Sequence, residues 1–324
     1  MTNYKKKLVI GTRSSPLAMA QTKLFVDKIL LSYPDMDHSA IQICPIKTSG
    51  DQNQSVRLDQ MGGKGLFAKE IENEIRKGQI DLGIHSMKDM PANESEDLLI
   101  GCWMERDDYR EALLTASPID SISKLSKSAI VGTSSIRRRS QIMNLRSDLG
   151  IRSLRGNIDT RIQKLKENKY DAIVLSKAGL ERLSLGHLIS YTFTDKELLP
   201  AACQGAIGIQ MLSSNKELKN FLSPINHSMT QDLCNIERDV LKTIKANCNS
   251  PIGLLAKKVN DNVILQCEIF DHGGNRIYTN LLKEDFSQKN LIGKKIGNDI
   301  LLKLGQTLID NLDILKDDFF SIGF

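Results

Sequence analysis

Through the first 210 residues of this 324-residue chain, short apolar runs alternate with amphipathic stretches of helical period. That alternation restricts the fold more than any other feature. "KLVIGT" reads as a strand. "PLAMAQTKLFVDKILLSY" reads as a helix, with Ser15 as N-cap and Pro16 at its first position. The strand "IQICPIKT", the helix "LFAKEIENEIRKG" and the strand "DLGIHS" repeat the order. After a polar "KDMPANESED" come "LIGCWM", "AIVGTSS", the helix "IRRRSQIMNLRS", "IRSLRG", the helix "DTRIQKLKEN" and "DAIVLS". Strands joined through helices imply βαβ crossovers and parallel sheets covered on both faces.

Two half-units look alike. "VIGTRSSPLAMAQ" parallels "IVGTSSIRRRSQ", and "RKGQIDLGIHSMK" parallels "KENKYDAIVLSK". These describe two similar α/β lobes, each presenting strand C-termini and helix N-termini to a common cleft, the edge where open α/β sheets bind ligands. From about residue 226 the pattern changes. A helix, "MTQDLCNIERDVLKTIKA", is followed by the loop "NCNSPIG" and the strands "LLAKKV", "VILQCEIF" and "IYTNLLK". A helix around "IGNDILLKLGQTLIDNL" closes a small α+β domain.

Composition excludes several classes. A formal charge of +5 with only 5% aromatic residues is well short of a dedicated nucleic-acid binder. No apolar run approaches the ~18 residues of a membrane span, and "LVI" behind the basic N-terminus is too short for a signal-peptide core. Six dispersed cysteines, none paired as CxxC, indicate neither a disulfide framework nor a zinc site, and a reducing cytosol is expected.

Fixed positive charge is concentrated at strand ends. In "VGTSSIRRRSQ" (131–141), serine hydroxyls and free backbone N–H groups at a helix start make a ready anion site. Successive residues of a helix lie about 100° apart, so three arginines cannot all face one ligand. Arg137 and Arg138 are expected to line the cleft and Arg139 to point elsewhere. Arg155 sits where a strand ends, Arg161 one turn into the next helix, and Arg13 at the equivalent turn of the first lobe. Guanidinium forks clamp carboxylates or phosphates in bidentate fashion. "IHSMKDMP" ends a strand with Lys88-Asp89. A carboxylate there, beside several cations, can act as a base or stabilise a developing cation, although an Asp before a turn also serves structure alone. His85 is read as a packed histidine. The glycine-punctuated 49–67 lacks phosphate-loop spacing and fits a lid. Cys248, in the polar loop "KANCNSPIG", is the cysteine whose neighbours predict exposure, hence a nucleophile or attachment point.

Taken in order, "GTRSSPLAMAQ", "GGKGLFAKE", "IHSMKDMP", "VGTSSIRRRSQ", "IRSLRGNIDTR", "YDAIVLSKAGLERL", "LPAACQGAIGI" and "CNSPIG" resemble the porphobilinogen deaminase (hydroxymethylbilane synthase) family of tetrapyrrole biosynthesis over nearly the whole chain. The resemblance implies an α/β fold of two doubly wound lobes resembling periplasmic binding proteins, plus a small C-terminal α+β domain. Its domains would be 1–105 with 200–224, then 106–199, then 225–324, with "QGAIGIQM" returning to the first lobe as a strand. It implies a dipyrromethane cofactor on Cys248 through a thioether. Four porphobilinogen units are joined head to tail, each losing ammonia, and water then releases linear hydroxymethylbilane. It assigns Arg13, Ser15, Lys88, Ser134, Arg137, Arg138, Arg155, Arg161 and Arg182 to the pyrrole acetates and propionates. Asp89 falls to the azafulvenium cation and its protons, and Phe67 to the end of the lid.

The implied protein is a cytoplasmic monomer whose product passes to uroporphyrinogen-III synthase, with no nucleic-acid or membrane partner and no metal. Two departures stand out. The family usually has glycines before the cofactor cysteine, where this chain has Ala246-Asn247. It also has glycine at Cys203, which would supply a spare thiol in the cleft region. The alternative is a non-catalytic carboxylate-binding protein on the same two-lobed fold, which leaves Cys248 unexplained.

Overall fold

The computed structural model describes residues 7–48, 68–246, 250–271 and 273–312. The chain divides into two compact units, Met1–Asp107 with Ala206–Gln231, and Asp108–Gly205 with Asp232–Phe324. Among the described residues no helix is long and apolar enough to cross a membrane.

The first unit is built on β1 (Leu8–Arg13), β2 (Ile41–Ile46), β3 (Leu82–Ser86), β4 (Leu98–Trp103) and β10 (Ile207–Leu212) in the order β2-β1-β3-β10-β4. Side chains alternate across a strand, so Leu8 and Ile10 face helices α1 (Pro16–Ser32) and α6 (Lys216–Leu222) through Phe25, Ile29 and Phe221. Val9 faces α2 (Lys69–Arg76) through Ile71 and Ile75. This is the doubly wound arrangement the alternation predicts. One strand departs from the expected parallel pairing: β10 runs antiparallel to both β3 and β4. It returns from far along the chain rather than through a βαβ crossover, and only such a crossover enforces parallel pairing.

The second unit repeats the plan. Strands β5 (Glu111–Thr115), β6 (Ile130–Gly132), β7 (Gly150–Arg152), β8 (Ala172–Ser176) and β9 (Tyr191–Thr192) lie in the order β7-β6-β8-β5-β9. Here β7, β6 and β8 are parallel, and β5 is antiparallel to β8 and to β9. One face packs on helix α3 (Ile136–Leu145) through Ile142, and the other on α4 (Ile158–Lys166) through Ile162 and Leu165. The sequence echo has a physical counterpart. The Asp81 carboxylate accepts the Val9 N–H at 2.7 Å at the start of β1, and Asp171 accepts the Ile130 N–H at 2.6 Å at the start of β6. Each aspartate pins the outset of the strand whose far end carries the arginine turn.

The same unit also contains the antiparallel meander β11 (Ile252–Val259), β12 (Asn262–Phe270) and β13 (Arg276–Asp285). It packs against α7 (Ser228–Thr243) and α8 (Lys289–Leu304) through Ile236, Val240, Leu254, Leu265, Ile292 and Ile296. The closing helix expected over 296–312 starts earlier and is broken. Gly305 adopts φ +75° and ψ +152°, a backbone conformation that glycine reaches without strain, and α9 (Gln306–Leu312) follows.

Candidate functional site

In the first unit the expected residues gather at the C-terminal ends of two neighbouring parallel strands. Arg13 closes β1, and the Ser15 hydroxyl caps α1 by accepting the Ala18 N–H at 3.4 Å. β3 passes into one 3-10 turn, Met87–Asp89, which presents Lys88 and Asp89 half-buried. The turn is braced from behind, where the Gln21 side-chain amide exchanges hydrogen bonds with the Ser86 hydroxyl at 2.8 and 3.1 Å.

His85, on β3, is buried, and its Nε2 has no hydrogen-bond partner among the described residues. Burial pushes its imidazole down to about 4; Gln210 opposes this in part, and the charge of Arg13 adds to it. The unfolded chain, at 6.5, therefore binds the proton first. The neutral ring's contribution is intact above pH 6.5 and lost as pH falls towards 4. That interval corresponds to roughly 3 kcal/mol at 1.36 kcal/mol per pH unit. Urea unfolding of wild type at pH 7 and pH 4 should lose up to that much more stability than His85→Gln over the same interval. Equal losses would show that His85 is not the titrating group.

In the second unit the turn after β6 is knitted to the end of β7. The Ser134 hydroxyl donates to the Leu154 carbonyl at 2.7 Å and accepts the Leu154 N–H at 3.1 Å, which fixes the backbone beside Arg155. Ser135 caps α3 by accepting the Arg138 N–H. Gly156, at φ +108°, turns the chain so that its carbonyl accepts Arg161 Nε at 2.7 Å. An added Cβ there would meet Thr160 at 2.9 Å. Arg182, ending helix α5 (Lys177–Arg182) after β8, donates to the Gly205 carbonyl. Arg155, Arg161 and Arg182 are half-buried.

The arginine run differs from expectation. All three guanidinium-bearing side chains are buried, at 5, 6 and 7% exposure for Arg137, Arg138 and Arg139. Arg139 is no solvated bystander, and burial pushes its guanidinium down. Arg137 Nη2 and Arg138 Nη2 each donate to one oxygen of Glu111, at 2.6 and 2.7 Å, and that carboxylate is fully buried. Arg137 Nη1 goes to the Leu199 carbonyl at 2.6 Å and Arg138 Nη1 to the Val174 carbonyl at 3.0 Å. The interior tolerates a guanidinium only when it is paired, and Glu111 is the pair. Two guanidinium groups thus share one carboxylate, and Arg138 Nε is buried without a hydrogen-bond partner among the described residues. Glu111 was missed from sequence because "EALLT" is too short to declare itself a strand. The available signal was an acid opening an apolar run.

Cys203 is 1% exposed at φ +59°, so it offers no thiol to a cleft. The left-handed backbone explains why glycine suits this turn. Cys248, Phe67 and the whole of 49–67 lie outside the described residues.

The model of the porphobilinogen deaminase dipyromethane cofactor binding domain matches residues 8–220, and that of the porphobilinogen deaminase C-terminal domain matches 232–302. A porphobilinogen deaminase of Natranaerobius thermophilus is 38% identical, covering 94% of this chain and 97% of that protein. One from Buchnera aphidicola is 38% identical, covering 96% and 98%. A chloroplastic one from Oryza sativa is 37% identical, covering 94% and 86%. Among solved structures, a putative methionine-binding lipoprotein from Bacillus subtilis aligns at TM-score 0.43 and 10% identity, covering 71% of this chain and 94% of that one. Two family models and relatives matched along nearly their full length identify the chain as a member of the porphobilinogen deaminase family.

Proposed function

We propose that this chain is a hydroxymethylbilane synthase. It joins four porphobilinogen units head to tail with loss of ammonia, on a dipyrromethane attached to Cys248, and releases the linear tetrapyrrole with water. The observation that carries this reading is the match to a dipyrromethane-binding domain over residues 8–220, the stretch that contains every arginine of the candidate set. The bound dipyrromethane supplies a nucleophilic pyrrole carbon for the first addition.

The chain's own residues do the rest. Arg137 and Arg138, bridged by Glu111, supply fixed positive charge to the cofactor and substrate carboxylates. Arg155, Arg161 and Arg182, anchored by their neighbours, and Arg13 with Ser15 and Lys88 bind other acetates and propionates. Ser134 holds the Arg155 turn in register. The Asp89 carboxylate stabilises positive charge as the amine leaves and takes the proton released when the next pyrrole attacks. The segment 49–67 with Phe67 serves as a lid. The domains are 1–105 with 200–224, 106–199 and 225–324. The protein works as a cytoplasmic monomer and hands its product to uroporphyrinogen-III synthase.

Intact-mass measurement tests the core of the reading. Purified protein should carry a covalent adduct of two linked pyrroles that is absent from Cys248→Ser. An unmodified mass in active wild-type protein would overturn the attachment.

A further inference from the structure

We propose that Cys203, Cys234 and Glu237 form a buried binding site for a thiophilic divalent cation, zinc by its chemistry. The two sulfurs and a Glu237 carboxylate oxygen all lie within 4.8 Å of one another, and all three residues are essentially inaccessible to solvent. Cys234 and Glu237 stand three residues apart on α7 and so share one face of it. Cys203 is brought to them by the turn before β10, 31 residues earlier in the chain.

Two features mark the cluster as built rather than incidental. A cysteine occupies a left-handed backbone position at φ +59°, where glycine would be free of strain, and its thiol is turned onto the Cys234 carbonyl at 3.6 Å. The Glu237 carboxylate is oriented from two sides. One oxygen accepts the Cys203 N–H and the other the Ala256 N–H at 2.8 Å. Backbone donors behind a ligating carboxylate are the usual way such a ligand is fixed.

Sulfur and carboxylate donors suit zinc or cadmium and disfavour magnesium or calcium. Zinc–sulfur bonds of about 2.3 Å and zinc–oxygen bonds of about 2.0–2.2 Å require only a modest contraction of this cluster, and leave one tetrahedral position for water. Binding converts two thiols to thiolates and releases two protons. Two thiolates, one carboxylate and one divalent ion sum to −1, with the buried Arg238 within electrostatic reach of Cys203. The ion would tie α7 to the turn whose Gly205 carbonyl receives Arg182, and so stiffen the support of that arginine.

The test compares full-length wild type with Cys203→Gly, a substitution that suits the positive φ and is expected to fold. Both are purified without chelator from zinc-supplemented culture, and the metal is counted per chain. Wild type should hold about one zinc and Cys203→Gly at least about tenfold less. Titration with cadmium should give a thiolate charge-transfer band in the wild-type-minus-variant difference spectrum, in which Cys248 and the remaining thiols cancel. Cys234→Ser should behave like Cys203→Gly. Equal zinc content in wild type and Cys203→Gly, or a flat cadmium difference spectrum, would overturn the site.

Discussion

Asp89→Asn is expected to lower turnover by about 10²–10⁴-fold, the range over which a positioned acid–base group contributes. That loss corresponds to about 2.7–5.5 kcal/mol of transition-state stabilisation. The substitution keeps the volume and removes only the charge. Among the described residues none hydrogen-bonds the Asp89 carboxylate, although it stands at the mouth of a turn braced by Gln21 and Ser86. A half-buried carboxylate with no hydrogen-bond partner among the described residues suits the role proposed for it. Its removal should therefore cost activity and leave the thermal midpoint nearly unchanged. The adduct on Cys248 should remain in the variant, so the mass spectrum separates failure of turnover from failure of cofactor attachment. Turnover within a few fold of wild type would rule out the role.

Glu111→Gln should have the largest effect on stability, lowering the unfolding free energy by about 3–5 kcal/mol. The glutamate accepts from two guanidinium groups inside the second unit, at 2.6 and 2.7 Å, and no part of it meets water. Its neutral isostere leaves two positive charges side by side, and its amide keeps one accepting oxygen but turns an N–H towards the other guanidinium. The effect is best read in urea, because guanidinium chloride would screen the repulsion. A double-mutant cycle sharpens the test. In the Glu111→Gln background, Arg137→Met removes one of the stranded charges, so the double variant should be markedly more stable than the sum of the single losses implies. Additive losses, or a single loss below about 0.5 kcal/mol, would show that the arginines find other acceptors without Glu111.

Much of the architecture was legible. The strand–helix alternation, the Ser15 cap, the matched half-units and the change of pattern near residue 226 are local signals, and the two doubly wound sheets and the antiparallel meander follow from them. The aspartates of "QIDLG" and "KYDAI" were visible as an echo, although their task of holding the first strand N–H was not. The returning strand β10 was expected from the family resemblance and not from local pattern, and the two-residue β9 was not expected at all. β10 pairs with strands more than a hundred residues away, and β9 is too short to show a period.

For the site, sequence fixed which residue types stand at which strand ends: Arg13 after β1, Lys88 and Asp89 after β3, the arginine run after β6 and Arg155 after β7. Those positions depend on period, caps and turns, which act over a few residues. Only the tertiary structure decided what surrounds each charge. Glu111 meets Arg137 and Arg138 across 26 and 27 residues, and Cys203 meets Cys234 across 31. Helix angles alone turned Arg139 away from its two neighbours, and packing buried all three arginines. The reason is physical: whether a charge or thiol is desolvated, and what compensates it, depends on the chain segments packed over it, and no local pattern records that.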